Sequence, residues 1–330
     1  MEFKEFIGFA SQKVIATIIV ILAITSVNFV MFRMAPGDPV RMMFKDPRIG
    51  AEEMQLVREK FGLDKSMPVQ FLTYIKELSK GNLGTSFWQR RPVTEVILDR
   101  LPNTLKLVLT ALCIATIIGT LLGAMAGWKS GSRFDSTVMT LSLSAYSVPA
   151  FAMGMVLMLL FAYVFPVFPL GGIHTPASGF TGFALMKDTL WHLVLPATSL
   201  TFWFTGEYVL LTRNSMIDVL DQDYITTARV KGIGEKQVLY KHALRNALLP
   251  VVTATGIHIA FAIGGVIEAE TVFSWPGLGR LTYEAVLKRD YPLLQGIFLF
   301  FSLSIVVINL IVDLTYGFID PRIKLGDKDN

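Results

Sequence analysis

Glu207 interrupts a run that is otherwise free of charge from Thr189 to Thr212, His192 and His258 lie in runs of the same kind, and Glu268, Glu270 and Asp313 stand at the ends of such runs. An ionised carboxylate inside hydrocarbon costs about 2.5–3.5 kcal/mol even on insertion scales, so Glu207 requires a charged partner or a wet cavity. Arg213, six residues on, falls on a different helical face. Two readings stay open: Glu207 and His258 line a solute path, where the acid meets a cationic group, or Glu207 makes a structural pair with another span or subunit. Metal chemistry is poorly served, because neither histidine has a second histidine one helical turn away. The same spacing offers no converging nucleophile and base for an intramembrane hydrolase. Phosphate chemistry is unsupported too, since no Gly-x-x-x-x-Gly-Lys-Ser/Thr loop and no Gly-Lys pair occurs. Any ATP used with this chain is hydrolysed elsewhere. Cys113 stands alone and cannot form an internal disulfide.

The elements that position these residues are spans. The 330 residues are 52% hydrophobic and 17% charged, with a mean hydropathy of +0.53. That balance argues against a soluble enzyme, a disordered tail and a disulfide scaffold. The net charge of +4 reports loop topology rather than a nucleic-acid partner. About 20 apolar residues cross ~30 Å of hydrocarbon, which predicts an all-α integral membrane protein with six transmembrane helices at 14–34, 103–128, 136–165, 189–212, 246–267 and 291–314. The first is read as a retained anchor, being longer than a signal core and lacking a small-residue cleavage site. Lys and Arg crowd 1–13, 129–133, 214–245 and 315–330, while the loops 166–188 and 268–290 hold only Lys187, Arg280, Lys288 and Arg289. That asymmetry puts both termini in the cytoplasm and 35–102, 166–188 and 268–290 outside. Periodicity predicts two short amphipathic helices in the external segment, Ala51 to Phe61 and Pro68 to Ser79. In the second span Gly119, Gly123 and Gly127 recur every four residues, a smooth face for close helix packing.

The loop 214–245, between the fourth and fifth spans, carries the most pointed signal. Asp223 is suited to cap a helix from Tyr224 to Lys231, and Gly232 supplies the left-handed residue that ends it. Thr226, Thr227 and Ala228 are small enough for another protein to approach, flanked by Tyr224, Ile225, Arg229 and Lys231. Geometry alone leaves a docking element and an interfacial helix on acidic lipid equally open.

Residue identity separates them. The string Asp223-Tyr-Ile-Thr-Thr-Ala-Arg-Val-Lys-Gly232, followed by His242-Ala-Leu-Arg-Asn-Ala-Leu-Leu-Pro250, resembles the Glu-Ala-Ala loop of permease subunits in binding-protein-dependent ABC importers, in their dipeptide, oligopeptide and nickel branch. Thr226, Thr227 and Ala228 stand at the Glu-Ala-Ala positions and Gly232 at the glycine. His242, Leu244 and Arg245 depart from the wider pattern in the manner of that branch. Ala35-Pro-Gly-Asp-Pro39, Gly81-Asn-Leu-Gly84, Ser147-Val-Pro-Ala-Phe151, Thr271-Val-Phe-Ser-Trp-Pro-Gly-Leu-Gly-Arg280 and Asp320-Pro-Arg322 extend the resemblance along nearly the whole chain. It implies a half-pore paired with a second permease subunit, fed by an extracytoplasmic solute-binding protein and driven by two cytoplasmic ATPases that carry the ATP and Mg. The helix at 224–231 would then be the cytoplasmic coupling helix, and alternating access the mechanism. Peptides are the expected solute. Nickel or oligosaccharide import, or a passive channel, are the alternatives.

Overall fold

The computed structural model describes residues 3–34, 64–262 and 266–319, and among them every regular element is a helix. In chain order these are α1 (Phe3–Arg33), α2 (Met67–Leu78), α3 (Val93–Trp128), α4 (Arg133–Ser147), α5 (Ala150–Met158, continued by a π-helical turn Leu159–Val164), α6 (Gly182–Leu220) and α7 (Asp223–Val230). An irregular helical stretch Glu235–Ala247, with a π segment at Val238–Ala243, leads to α8 (Leu249–Ala262), α9 (Ile267–Val272), α10 (Leu278–Lys288) and α11 (Tyr291–Ile319). The expected helix at 51–61 and the motifs at 35–39 and 320–322 lie outside the described residues.

Ala10–Arg33, Val93–Trp128 and Tyr291–Ile311 are each long and apolar enough to cross a membrane, and Arg133–Ser147 with Ala150–Val164 makes a fourth if that pair is one span. The pair corrects the single helix expected at 136–165. Pro149 crowds the residue before it out of the helical region. Val148 is accordingly extended at φ −85 and ψ 123, and the two halves bend by 92°. Pro102 and Pro196, by contrast, are accommodated inside α3 and α6. Other boundaries differ from expectation by extension. α3 begins well before 103, where Val93, Val96 and Ile97 are buried. α6 takes in residues assigned to the loops on either side, and at about 1.5 Å per residue it is nearly twice as long as hydrocarbon is thick. The loop 268–290 contains α9 and α10.

The chain divides into two compact units, one of residues up to Leu101 together with those from Leu281, the other Pro102–Arg280. In the first, α1 packs on α11, with Phe32 ring centroids 6.0 Å from Phe298 and 6.5 Å from Tyr291. α2 joins through Phe71 and Tyr74, 5.3 and 5.5 Å from Phe29. Asp290 starts α11: its buried carboxylate accepts from the backbone N–H of Leu293, Phe87 and Trp88 and from the Ser86 hydroxyl. Its charge is thus met by donors rather than by a cation.

In the second unit, Leu107, Val108, Ala111, Leu112 and Ala115 of α3 form a core with Leu193, Ala197, Leu200, Phe204 and Tyr208 of α6, closed by Val251, Ala269 and Trp275. Glu270, at the end of an apolar run, is fully buried in the protein, and its carboxylate accepts from the Thr104 hydroxyl at 2.7 Å and the Arg280 N–H at 2.9 Å. Glu268 is exposed. Gly277 admits that buried carboxylate, because a Cβ there would collide with it.

Candidate functional site

Three features of the second unit bear on function: the short helix α7, the glycine face of α3, and the polar residues of α6 and α8. α7 begins without a side-chain cap. Gln222 holds the cap position and Asp223 is the first helical residue, closing no hydrogen bond onto the helix end. There its charge still favours the positive end of the helix. This corrects the capping role expected of Asp223. The other end forms as the sequence predicts: Gly232 adopts φ +75, its N–H reaches the Arg229 carbonyl at 2.9 Å, and the Ile233 N–H reaches the Ala228 carbonyl at 3.2 Å. Those two bonds and a left-handed glycine make a Schellman ending.

The faces of α7 are sharply sorted. Ile225 is fully buried and Ala228 nearly so, packed with Ala124, Met216, Val238, Ala243 and Ala247 of the same chain. Tyr224, Thr226, Thr227, Val230, Lys231 and Gly232 are exposed, Val230 to 83%. Ile225 and Ala228 therefore anchor the helix instead of meeting a partner. Three further contacts fix it. The Arg229 guanidinium lies 5.6 Å from the Trp128 ring centre and pairs with Glu235 at 3.2 Å, and the Asn246 amide donates to the Tyr224 hydroxyl at 2.8 Å.

The glycine face of α3 is filled from within the chain. A Cβ on Gly119 would stand 2.5 Å from Tyr208 Cβ, one on Gly123 2.6 Å from the Val209 carbonyl oxygen, and one on Gly127 2.7 Å from Met216 Cβ. Gly206 repeats the device on another face of α6, against the Ser142 carbonyl and Tyr146 of α4. Backbones approach this closely only where side chains are absent. α6 is thus wedged between two helices, and its Met216 touches the cluster that holds α7.

Glu207 and His258 come together: Glu207 Oε2 is 3.4 Å from His258 Nε2, with the side chains 31% and 15% exposed. Sequence reasoning missed the rest of this group. Tyr208 donates to Thr255 at 3.1 Å, and its oxygen lies 3.1 Å from His258 Nδ1. Phe204 flanks the imidazole at 5.1 Å. Arg213 belongs elsewhere, gripping Asp135 at the start of α4 through two 2.8 Å bonds. The signals available were an aromatic next to Glu207 and a threonine one turn before His258, neither distinctive alone. His192 is a packed side chain with Nδ1 2.8 Å from the Asp188 carbonyl oxygen. Among the described residues no group of three or more His, Cys, Asp and Glu is placed to hold a metal ion.

Comparison with known proteins finds two family models on the chain. Residues 119–325 match "Binding-protein-dependent transport system inner membrane component", and residues 6–108 match the N-terminal "Binding-prot-dependent transport system membrane comp". The oligopeptide transport system permease protein AppB of Bacillus subtilis is 38% identical over 314 residues, covering 95% of this chain and 98% of that protein. The dipeptide transport system permease protein DppB of Escherichia coli is 38% identical over 320 residues, 92% and 94% of the two chains. The glutathione transport system permease protein GsiC of Salmonella typhi is 39% identical over 318 residues, 96% and 99%.

Proposed function

The chain belongs to the family of binding-protein-dependent transport system inner membrane components, and on that premise we propose that it is one of two permease subunits of an ABC importer for di- or oligopeptides. It is a membrane-embedded transport subunit, not an enzyme. ATP and Mg belong to two cytoplasmic ATPases, and an extracytoplasmic binding protein delivers the solute. The names borne by relatives similar over nearly their full length support peptides as cargo.

We assign six spans to α1, α3, the bent pair α4 and α5, α6, α8 and α11, with both termini, and α7, in the cytoplasm. The basic residues at 1–13, 129–133 and 213–245 support this orientation. One observation carries the coupling role of α7. It is anchored to its own chain by Ile225 and Ala228 while Tyr224, Thr226, Thr227 and Val230 stay outward, which leaves a firm two-turn knob for a groove in another protein. Closure of the ATPases on α7 would move α6, which shares the Met216 cluster, and with it the path between the two permeases.

The test is reconstitution with the second permease, the ATPases and the binding protein in liposomes, following ATP-dependent uptake of radiolabelled alanyl-alanine. Thr227→Trp on the outward face is expected to abolish uptake and ATPase co-purification while leaving the subunit inserted. Unimpaired ATPase capture and uptake in that variant would remove the docking assignment. ATP-driven import of nickel or an oligosaccharide in place of peptide would overturn the cargo.

A further inference from the structure

The end of α10 and the loop before α3 share one anchor. The Asp290 carboxylate accepts from Leu293 at the start of α11 and also from the Ser86 hydroxyl and the N–H groups of Phe87 and Trp88, so the two segments are fixed against each other. Across that joint the Lys288 ammonium lies 4.2 Å from the centre of the exposed Trp88 ring. α10 ends in a Schellman motif: the Asp290 N–H reaches the Ala285 carbonyl at 2.9 Å and the Arg289 N–H the Val286 carbonyl at 3.1 Å. Arg289 takes its left-handed position, φ +53, where glycine is the comfortable choice. Arg90, in the other segment, is left-handed too, at φ +55. A backbone that favours glycine thus carries an arginine twice, and both residues are exposed. Among the described residues no acid lies within ion-pair distance of Arg90, Lys288 or Arg289. The nearby Glu95 and Asp99 are paired with Arg91.

With α1 and α11 read as spans, this joint lies at the edge of the bilayer. The ring of Tyr291, first residue of α11, is 6.5 Å from that of Phe32 at the end of α1, so the two apolar helices finish at one level. α10 buries Leu281, Thr282 and Ala285 and turns Tyr283, Val286 and Leu287 outward. Only Arg289 and Asp290 separate that apolar face from the span. Trp, Tyr, Lys and Arg beside exposed apolar residues suit headgroup level, where each has an apolar body or stem and a polar tip. Bases on the outer side run against the topology signal, yet Lys288 and Arg289 are two of the four bases in the short loops assigned there, which calls for a local anion. We propose that this rim seats α10 in the outer headgroup layer and holds the headgroup of an anionic phospholipid through Lys288, Arg289 and Arg90, with the Trp88 ring fixing Lys288. The acidic surface of a soluble protein would answer the bases, but it would not account for an apolar helix face running directly into a span. The bilayer answers both. The site requires only that α1 and α11 cross the membrane, and so stands apart from the cargo.

The experiment uses the complete transporter in phosphatidylcholine nanodiscs. Cys113→Ser removes the native thiol, and Leu287→Cys carries a bimane fluorophore on the outward face of α10. Its emission is expected to be quenched by lipid spin-labelled near the headgroup and spared by aqueous iodide. Half-quenching should need about fivefold less spin-labelled phosphatidylglycerol than phosphatidylcholine, the weight of one base at an anionic surface. Lys288→Gln with Arg289→Asn and Arg90→Asn should bring the two lipids to equal quenching while quenching by lipid itself persists. Asparagine is chosen because it tolerates the left-handed backbone. Quenching by iodide and not by lipid would overturn the headgroup seat, and protection from iodide on adding the binding protein would then give the face to that partner. Equal quenching by the two lipids in the otherwise unaltered complex would overturn the anion site, as would an undiminished preference in the triple variant.

Discussion

Glu207 and His258, on two different helices, face each other at 3.4 Å, and Tyr208, the neighbour of the acid, orients the imidazole from its other nitrogen. Each supplies the other with a polar neighbour across the two helices. Glu207→Gln and His258→Gln should each lower the thermal midpoint of the complex, and the double variant should lose less than the sum. Partial exposure keeps the coupling at about 1 kcal/mol. Strict additivity in a double-mutant cycle would show that the two do not interact.

Arg213 and Asp135 tie α6 to α4 by two parallel hydrogen bonds, with Asp135 almost fully buried and held also by the Gly131 N–H. Arg213→Met leaves that carboxylate without its cation and is expected to cost about 3 kcal/mol. Asp135→Asn combined with Arg213→Met should recover part of the loss. Protease resistance of the detergent-solubilised chain reports both.

Gly123→Leu drives a side chain into the Val209 carbonyl and Thr212 of α6, where no room exists. Overpacking of this kind costs roughly 1–3 kcal/mol or more, and the subunit should fail to assemble. Cys113→Leu, at an exposed position on the same helix, should be silent. Equal yields of assembled complex from both variants would contradict the packing.

Gly232→Ala places a side chain in open space but in a left-handed backbone. That conformation costs a residue with a Cβ about 1–2 kcal/mol. The Schellman end should fray and α7 lose its orientation. Faster amide exchange at Gly232 and Ile233, with reduced ATPase capture, is the expected readout.

Ala228→Leu and Thr226→Leu sit two residues apart on opposite faces of α7. The first should loosen α7 from Met216 and Val238 and destabilise the subunit itself. The second should leave its melting unchanged and weaken only the complex with the ATPases. Melting curves of the isolated subunit, set beside co-purification yields, distinguish the faces.

What was legible in the sequence was what depends on neighbours in the chain. Apolar runs mark α1, α3 and α11 because helix length and bilayer thickness are both local quantities. Gly232 announces the end of α7 because a left-handed residue is a property of one backbone position. Glu207 stands out as improbable in hydrocarbon wherever the chain goes. The tertiary structure alone decided which partner answers each of these. His258 rather than Arg213 meets Glu207 because helical phase turns Arg213 toward Asp135, and Gly119, Gly123 and Gly127 accept α6 of the same chain. Ile225 and Ala228 look inward because their environment comes from α3, α6 and the Val238–Ala247 stretch, brought together only by the fold. The helix breaks at Pro149 but runs on through Pro102 and Pro196. A proline removes one donor everywhere, and whether the helix is interrupted there depends on the packing around it.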